Sequence, residues 1–188
     1  MKDKLLSFIL LFFLALPMID STIALAGENT YKIGPGDSIE ISVWKDEYLT
    51  RQIIVPPDGV IAFPLIGDID VTDLTVPELR DIVSKKVKEF VTDATTTVMI
   101  LSANSMTAYV VGKVNQPGKF PITMKTNVMQ ILAMAGDLNA FASPGSIIIL
   151  REEKGKQIKL PFDYDDVKKG KRLEQNITLK RGDVVVVP

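Results

Sequence analysis

Apolar and polar positions alternate from Ser38 to Trp44. Ile39, Ile41 and Val43 fall on one face, and Glu40, Ser42 and Trp44 on the other. That period of two predicts a half-buried strand. Ile53 to Val55 and Val60 to Ile66 then flank Pro56-Pro57-Asp58-Gly59, which reads as a hairpin turn. Proline presets φ, the Asp side chain caps the turn, and Gly takes the positive-φ position. Pro64 has no N–H to donate, so the returning strand is expected at an edge or bulged. The period changes at Thr75-Val76-Pro77-Glu78, a capping box with an early proline. Leu79, Ile82, Val83, Val87 and Phe90 follow at helical spacing, opposite Arg80, Asp81, Lys85, Lys88 and Glu89. Such a stripe is a core face. The β-rich run TTTVMIL from Thr95 closes this first unit.

Asn104 and Ser105 mark a boundary, and a second unit repeats the plan. MTAYVVGKV from Met106 is a strand, and NQPGKF from Asn115 is a turn with Pro117 and Gly118 in the order turns prefer. Thr126 to Ala135 reads as a short helix with Val128, Ile131, Leu132 and Ala135 on one side, ended by Gly136 in the left-handed region. GSIIILREEKGKQIKL reads as a hairpin with Glu153-Lys154-Gly155-Lys156 at its tip. DYDDVKKGKRLEQN reads as a solvated loop, and ITLKRGDVVVVP supplies the last strand. Strands around one helix, twice in succession, predict an α+β protein of two small domains, 28–103 and 104–188.

One device opens the first unit and closes the second. IGPGDSIEIS and LKRGDVVVVP each place a Gly-Asp turn before a β-branched run. Asp37 and Asp183 could be read as a pair of catalytic acids, since glycoside hydrolysis needs two carboxylates at a set separation. Turn chemistry is the preferred reading, because the motif recurs at the same position relative to a strand in both units. No catalytic residue is assigned.

The N-terminus changes the picture of where the chain works. Lys2 and Lys4 precede the apolar run Leu5 to Leu16, Pro17 breaks it, and Ala24-Leu25-Ala26 offers a small-residue cleavage site. The run is short for a membrane span, which needs about 20 residues. Residues 1–26 therefore read as a cleaved export signal, with an uncleaved inner-membrane anchor as the alternative. Removing them removes Lys2, Lys4, Asp3 and Asp20, two charges of each sign, so the net charge of -1 is kept. That near-neutral balance argues against a nucleic-acid partner. The chain has no Cys and no His. This removes disulfides, a lipid-bearing Cys and the side chains that most often carry nucleophilic, base and metal chemistry.

The ordered series Tyr31, Gly34-Pro35-Gly36-Asp37, a strand ending at Trp44, Pro57-Asp58-Gly59, Phe63-Pro64-Leu65-Ile66-Gly67 and the Leu74-Thr75 capped helix resembles the polysaccharide-export domain of bacterial capsule and exopolysaccharide export proteins. AYVVGKVNQPGKFPI, with Gly112, Pro117 and Gly118, then LAMAGDLNAFASPGSIIILR, with Gly136, and LKRGDVVVVP, with Gly182 and Asp183, resemble the ligand-binding β-grasp (SLBB) unit that follows it. The resemblance implies a periplasmic, outer-membrane-associated, ring-forming and non-enzymatic component of an export machine. It implies as partners the polysaccharide chain, further copies of the same chain, an inner-membrane co-polymerase and a separate outer-membrane protein. The last is expected because the sequence shows neither the lipobox Cys nor the C-terminal spanning helix of the best-known members. A monomeric periplasmic glycan-binding or adaptor module is the alternative. No cofactor or metal is expected.

Trp44 and Tyr48 are the candidate contact residues. Each could stack on a sugar or pack against a neighbouring domain or subunit, and the interface is preferred because large aromatics dominate interfaces. Asp163, Asp165 and Asp166 carry oxygen ligands suited to Ca²⁺, but they lack the Gly and the distal Glu of an EF-hand loop. Lys168 to Arg172 could face an anionic glycan or a lipid surface.

Overall fold

A computed structural model describes residues 30–44 and 46–188. The export signal read over 1–26 lies outside the described residues. The chain runs β1 (Ser38–Val43), β2 (Asp46–Ile54), β3 (Val60–Phe63), β4 (Gly67–Asp70), α1 (Val76–Val87) and β5 (Thr96–Ser102) in its first half. The second half runs β6 (Thr107–Gly112), β7 (Gly118–Pro121), α2 (Val128–Met134), β8 (Ile147–Glu153), β9 (Lys156–Phe162), α3 (Tyr164–Lys168) and β10 (Val184–Val187). The fold is α+β with two hydrophobic cores, one in each half.

The first core forms under a three-stranded antiparallel sheet of order β2-β1-β5. β1 is central, and its inward residues Ile39, Ile41 and Val43 are buried. α1 covers them with Leu79, Val83 and Val87. It begins at a complete capping box: the Thr75 side chain accepts from the Glu78 N–H, and the Glu78 carboxylate accepts from the Thr75 N–H at 2.8 Å. The box satisfies two donors that the first helical turn leaves open.

Two elements here differ from the sequence reading. Pro56-Pro57-Asp58-Gly59 does turn the chain, with the Gly59 N–H donating to the Pro56 carbonyl at 3.0 Å. It does not close a hairpin, however. β2 pairs with β1, whereas β3 pairs with β4 in a separate two-stranded sheet. Pro64 ends β3, and Leu65 and Gly67 carry the reversal at φ 66 and 70. A proline that cannot donate suits a turn better than the strand interior. Phe90 is the second correction: it lies past the Lys88 C-cap and is 60% exposed. The helix stops one turn before the apolar stripe does.

The second core lies against a five-stranded sheet of order β7-β6-β10-β8-β9. β10 sits in the middle, parallel to β6 and antiparallel to β8. Val185 and Val187 face inward beside Val110, Ile147 and Ile149. α2 adds Val128, Ile131 and Leu132, and its Asn127 and Gln130 form a second capping box that the sequence reading missed. The stretch read as a solvated loop after Phe162 contains α3. Asp163 caps it by accepting from the Asp166 N–H at 3.0 Å, and Tyr164 and Val167 are buried. Five residues are too few for a helical period to register, so the charges dominated the reading.

Candidate functional site

Both Gly-Asp turns have the same local geometry. The Asp37 N–H donates to the Gly34 carbonyl at 3.2 Å, and the Gly34 N–H donates back to the Asp37 carboxylate at 2.8 Å. The Asp183 N–H donates to the Lys180 carbonyl at 3.1 Å, and the Lys180 N–H donates back to the Asp183 carboxylate at 2.8 Å. Gly36 and Gly182 hold φ of +88 and +81 at the step before each Asp. Each turn launches the central strand of its sheet.

The tertiary partners differ. Asp183 is buried against Arg151, whose Nη2 lies 2.6 Å from its carboxylate. Arg151 Nη2 also donates to the Thr178 carbonyl at 2.9 Å. Asp37 is fully buried and, among the described residues, has no such cation. Its carboxylate accepts from the Tyr31 hydroxyl, from the Ser105 N–H at 2.7 Å and from the Ser105 hydroxyl at 3.0 Å. Burial, then the bond to Asp37, pushes the Tyr31 hydroxyl up to about 12. Asn104 Nδ2 donates to the Gly36 carbonyl at 3.1 Å. The residues that read as a boundary are thus fastened to the opening turn. From the other turn, the Arg181 guanidinium donates to the Lys32 carbonyl, and a Cβ at Gly34 would overlap it. The two devices meet at the seam between the halves, and each carboxylate is consumed by structural bonds. Neither Asp offers a free oxygen to a substrate.

The remaining motif residues sit in turns and close approaches. The Asp58 side chain accepts from the Val60 N–H at 3.1 Å, after exposed Pro57. Gly59 stands against Thr72. Gly112 stands against the Val187 carbonyl, where a Cβ would overlap a backbone atom. Pro117 and Gly118 lead into the edge strand β7, and Gly136 follows α2 at φ +73.

Trp44 lies at the tip of the β1–β2 hairpin and is 71% exposed; its N–H donates to the Thr95 carbonyl at 2.8 Å. Tyr48 is on β2 and is 84% exposed. Asp46 explains why: its carboxylate accepts from the Tyr48 N–H at 3.0 Å and from the Leu49 N–H at 3.2 Å. This bulges the strand, so that Glu47 and Tyr48 both face solvent while Leu49 turns inward. Beside Trp44 is a cleft of about 320 Å³, lined by Ser42, Thr50, Thr95, Thr97, Asp46 and Glu47. An aromatic face ringed by hydroxyls and carboxylates can stack and hydrogen-bond.

The acidic stretch of the second half is used locally. Arg172 lies 3.9 Å from the Asp163 carboxylate and 3.2 Å from that of Asp166. Among the described residues, no group of three or more Asp and Glu side chains is arranged to hold a metal ion.

Residues 26–101 match the family described as polysaccharide biosynthesis/export protein, and residues 106–187 match the SLBB domain. The chain belongs to the polysaccharide export family. This export chain is 30% identical over 192 residues to the EPS I polysaccharide export outer membrane protein EpsA of Ralstonia nicotianae, covering 87% of this chain and 48% of that protein. It is 26% identical over 154 residues to the polysialic acid transport protein KpsD of Escherichia coli, covering 81% of this chain and 27% of that one. The export chain therefore spans less than half the length of these curated relatives. No helix among its described residues is long and apolar enough to cross a membrane.

Proposed function

We propose that this chain is a ring-forming, non-enzymatic component of a polysaccharide export machine at the periplasmic side of the outer membrane. Its units would be the export domain at 28–103 and the SLBB-type domain at 104–188. Copies pair side by side through a heterologous interface whose rotation closes. The ring wall guides a glycan, handed on from an inner-membrane co-polymerase towards a separate outer-membrane protein. The observation that carries the reading is the order of the two matched domains, in a chain 87% of which aligns with an outer-membrane export protein. Two further features support it. Trp44 and Tyr48 stand exposed on one hairpin, as interface anchors do before assembly. Asp37 and Asp183 are locked in turns, which withdraws that pair from glycan cleavage.

Native mass spectrometry of the purified protein tests the ring. A closed oligomer of fixed stoichiometry is expected. A monomer at every concentration would reject it and favour a monomeric glycan-binding or adaptor module.

A further inference from the structure

We infer that the seam between the two domains carries a binding cleft for an acidic sugar unit. The choice of a sugar rests on the proposed export role; the choice of negative charge rests on the cleft alone.

The cleft is about 230 Å³. Thr30 and Lys32 wall it from the first domain, and Lys180 and Arg181 from the second. Three of these four residues are cations, and among the described residues no carboxylate lines the cleft, in a chain whose net charge is -1. Charge is therefore concentrated here against the average. Arg181 is held in place, because its guanidinium donates to the Lys32 carbonyl and packs over Gly34. Among the described residues, neither Lys32 nor Arg181 has a carboxylate within ion-pair distance. Lys180 has one, Glu153 at 3.0 Å, in an exposed pair that costs little to open.

The floor is apolar. Met106 and Leu179 are buried and Met124 is half-buried. A bare inorganic anion has no use for such a floor. A pyranose has one apolar C–H face, hydroxyls around its rim and, in an acidic sugar, a carboxylate that a guanidinium fork matches. Methionine is a forgiving surface for that face. The volume is below the roughly 300–1,000 Å³ of drug-sized pockets, which fits one ring of a longer chain. Both domains build the walls, so the cleft exists only while the seam is closed.

The test is calorimetric titration of the purified protein with trigalacturonate and sialic acid trimer, with maltotriose as the neutral sugar and inorganic phosphate as the bare anion. At least one acidic trimer is expected to bind, more weakly as salt rises. Maltotriose should not bind, and phosphate should bind at least tenfold more weakly. Lys32→Glu with Lys180→Glu changes two exposed side chains and should weaken acidic-trimer binding at least tenfold, with an unchanged melting temperature as the folding control. Lys32→Gln with Lys180→Gln should give an intermediate loss if the reversed pair disturbs folding. The inference is overturned if neither acidic trimer binds at millimolar concentration, if the variants bind as the parent does, or if phosphate binds as tightly as the trimers. A ring without binding sinks this inference alone; binding by a monomer sinks the ring alone.

Discussion

The Arg151 guanidinium meets the Asp183 carboxylate at 2.6 Å, across 32 residues of chain, with both side chains buried. The pair joins β8 to the turn that launches β10, so it pins the centre of the larger sheet. Breaking a buried pair from one side strands a charge, at a cost of about 3–5 kcal/mol. Asp183→Asn is expected to lose that much in urea unfolding. Arg151→Met added to Asp183→Asn removes the stranded charge and keeps an acceptor for the Lys180 N–H. The double variant should recover at least ~1 kcal/mol over Asp183→Asn. Additive losses would show that the two side chains do not act as a pair.

Asp37 fastens Ser105 to the opening turn, 68 residues away in sequence. Hydrogen bonds to a charged acceptor are worth about 1.5–3 kcal/mol each. Asp37→Ala should cost at least that, and should speed protease cutting between 103 and 106. Ser105→Ala keeps its N–H bond to Asp37, so a smaller loss is expected. Equal proteolysis of Asp37→Ala and parent would show that the seam does not depend on this carboxylate.

Tyr31 supplies a pH signature. Its pKa is raised to about 12 in the folded state from the ordinary 10. The folded protein therefore holds this proton more tightly than the unfolded chain does. The stability it contributes is complete below about pH 10 and falls as pH rises towards 12. Tyr164 is also raised, by burial and its bond to Asp137. Absorbance titration should show two late tyrosines, one of which disappears in Tyr31→Phe. The alkaline fall in stability should shrink in that variant.

Two glycines should respond differently to a methyl group. Gly182 has open space around it and a φ of +81, so Gly182→Ala costs only the left-handed backbone, about 1–2 kcal/mol. Gly112 has a φ of +97, and its added Cβ would also overlap the Val187 carbonyl. Gly112→Ala must push β6 and β10 apart and should cost clearly more than Gly182→Ala in thermal unfolding. Similar losses would show that the last strand yields easily.

Trp44 and Tyr48 separate assembly from folding. Both are largely exposed, and exposed substitutions usually change stability by no more than about 0.5 kcal/mol. Trp44→Ala with Tyr48→Ala should unfold as the parent does, yet fail to form the oligomer in native mass spectrometry. An unchanged oligomer would remove this hairpin from the interface.

What could be read from sequence was local. The Thr75 box, the Lys154-Gly155 tip and the Gly-Asp turns each depend on residues within four positions of one another, and those positions carry the propensities. The same limit explains the misreadings. Pro57-Asp58-Gly59 announces a turn but cannot say which strands it joins, and α3 is too short to show a period. The candidate site divides along the same line. The alternation put Trp44 on the polar face, but that it would stand at a hairpin tip, and that Asp46 would bulge β2 to expose Tyr48, were not in the pattern.

By itself the sequence determined the two α+β units, their turn and cap chemistry, and the ordered motifs of the export family, because each is written in near neighbours. Only the tertiary structure decided the partners of the two matching Asp residues. One takes Arg151 and the other takes Ser105 and Tyr31, because partner choice belongs to burial and to which strands lie side by side. The basic seam cleft was decided there as well, since Lys32 and Arg181 meet only once the two cores have packed.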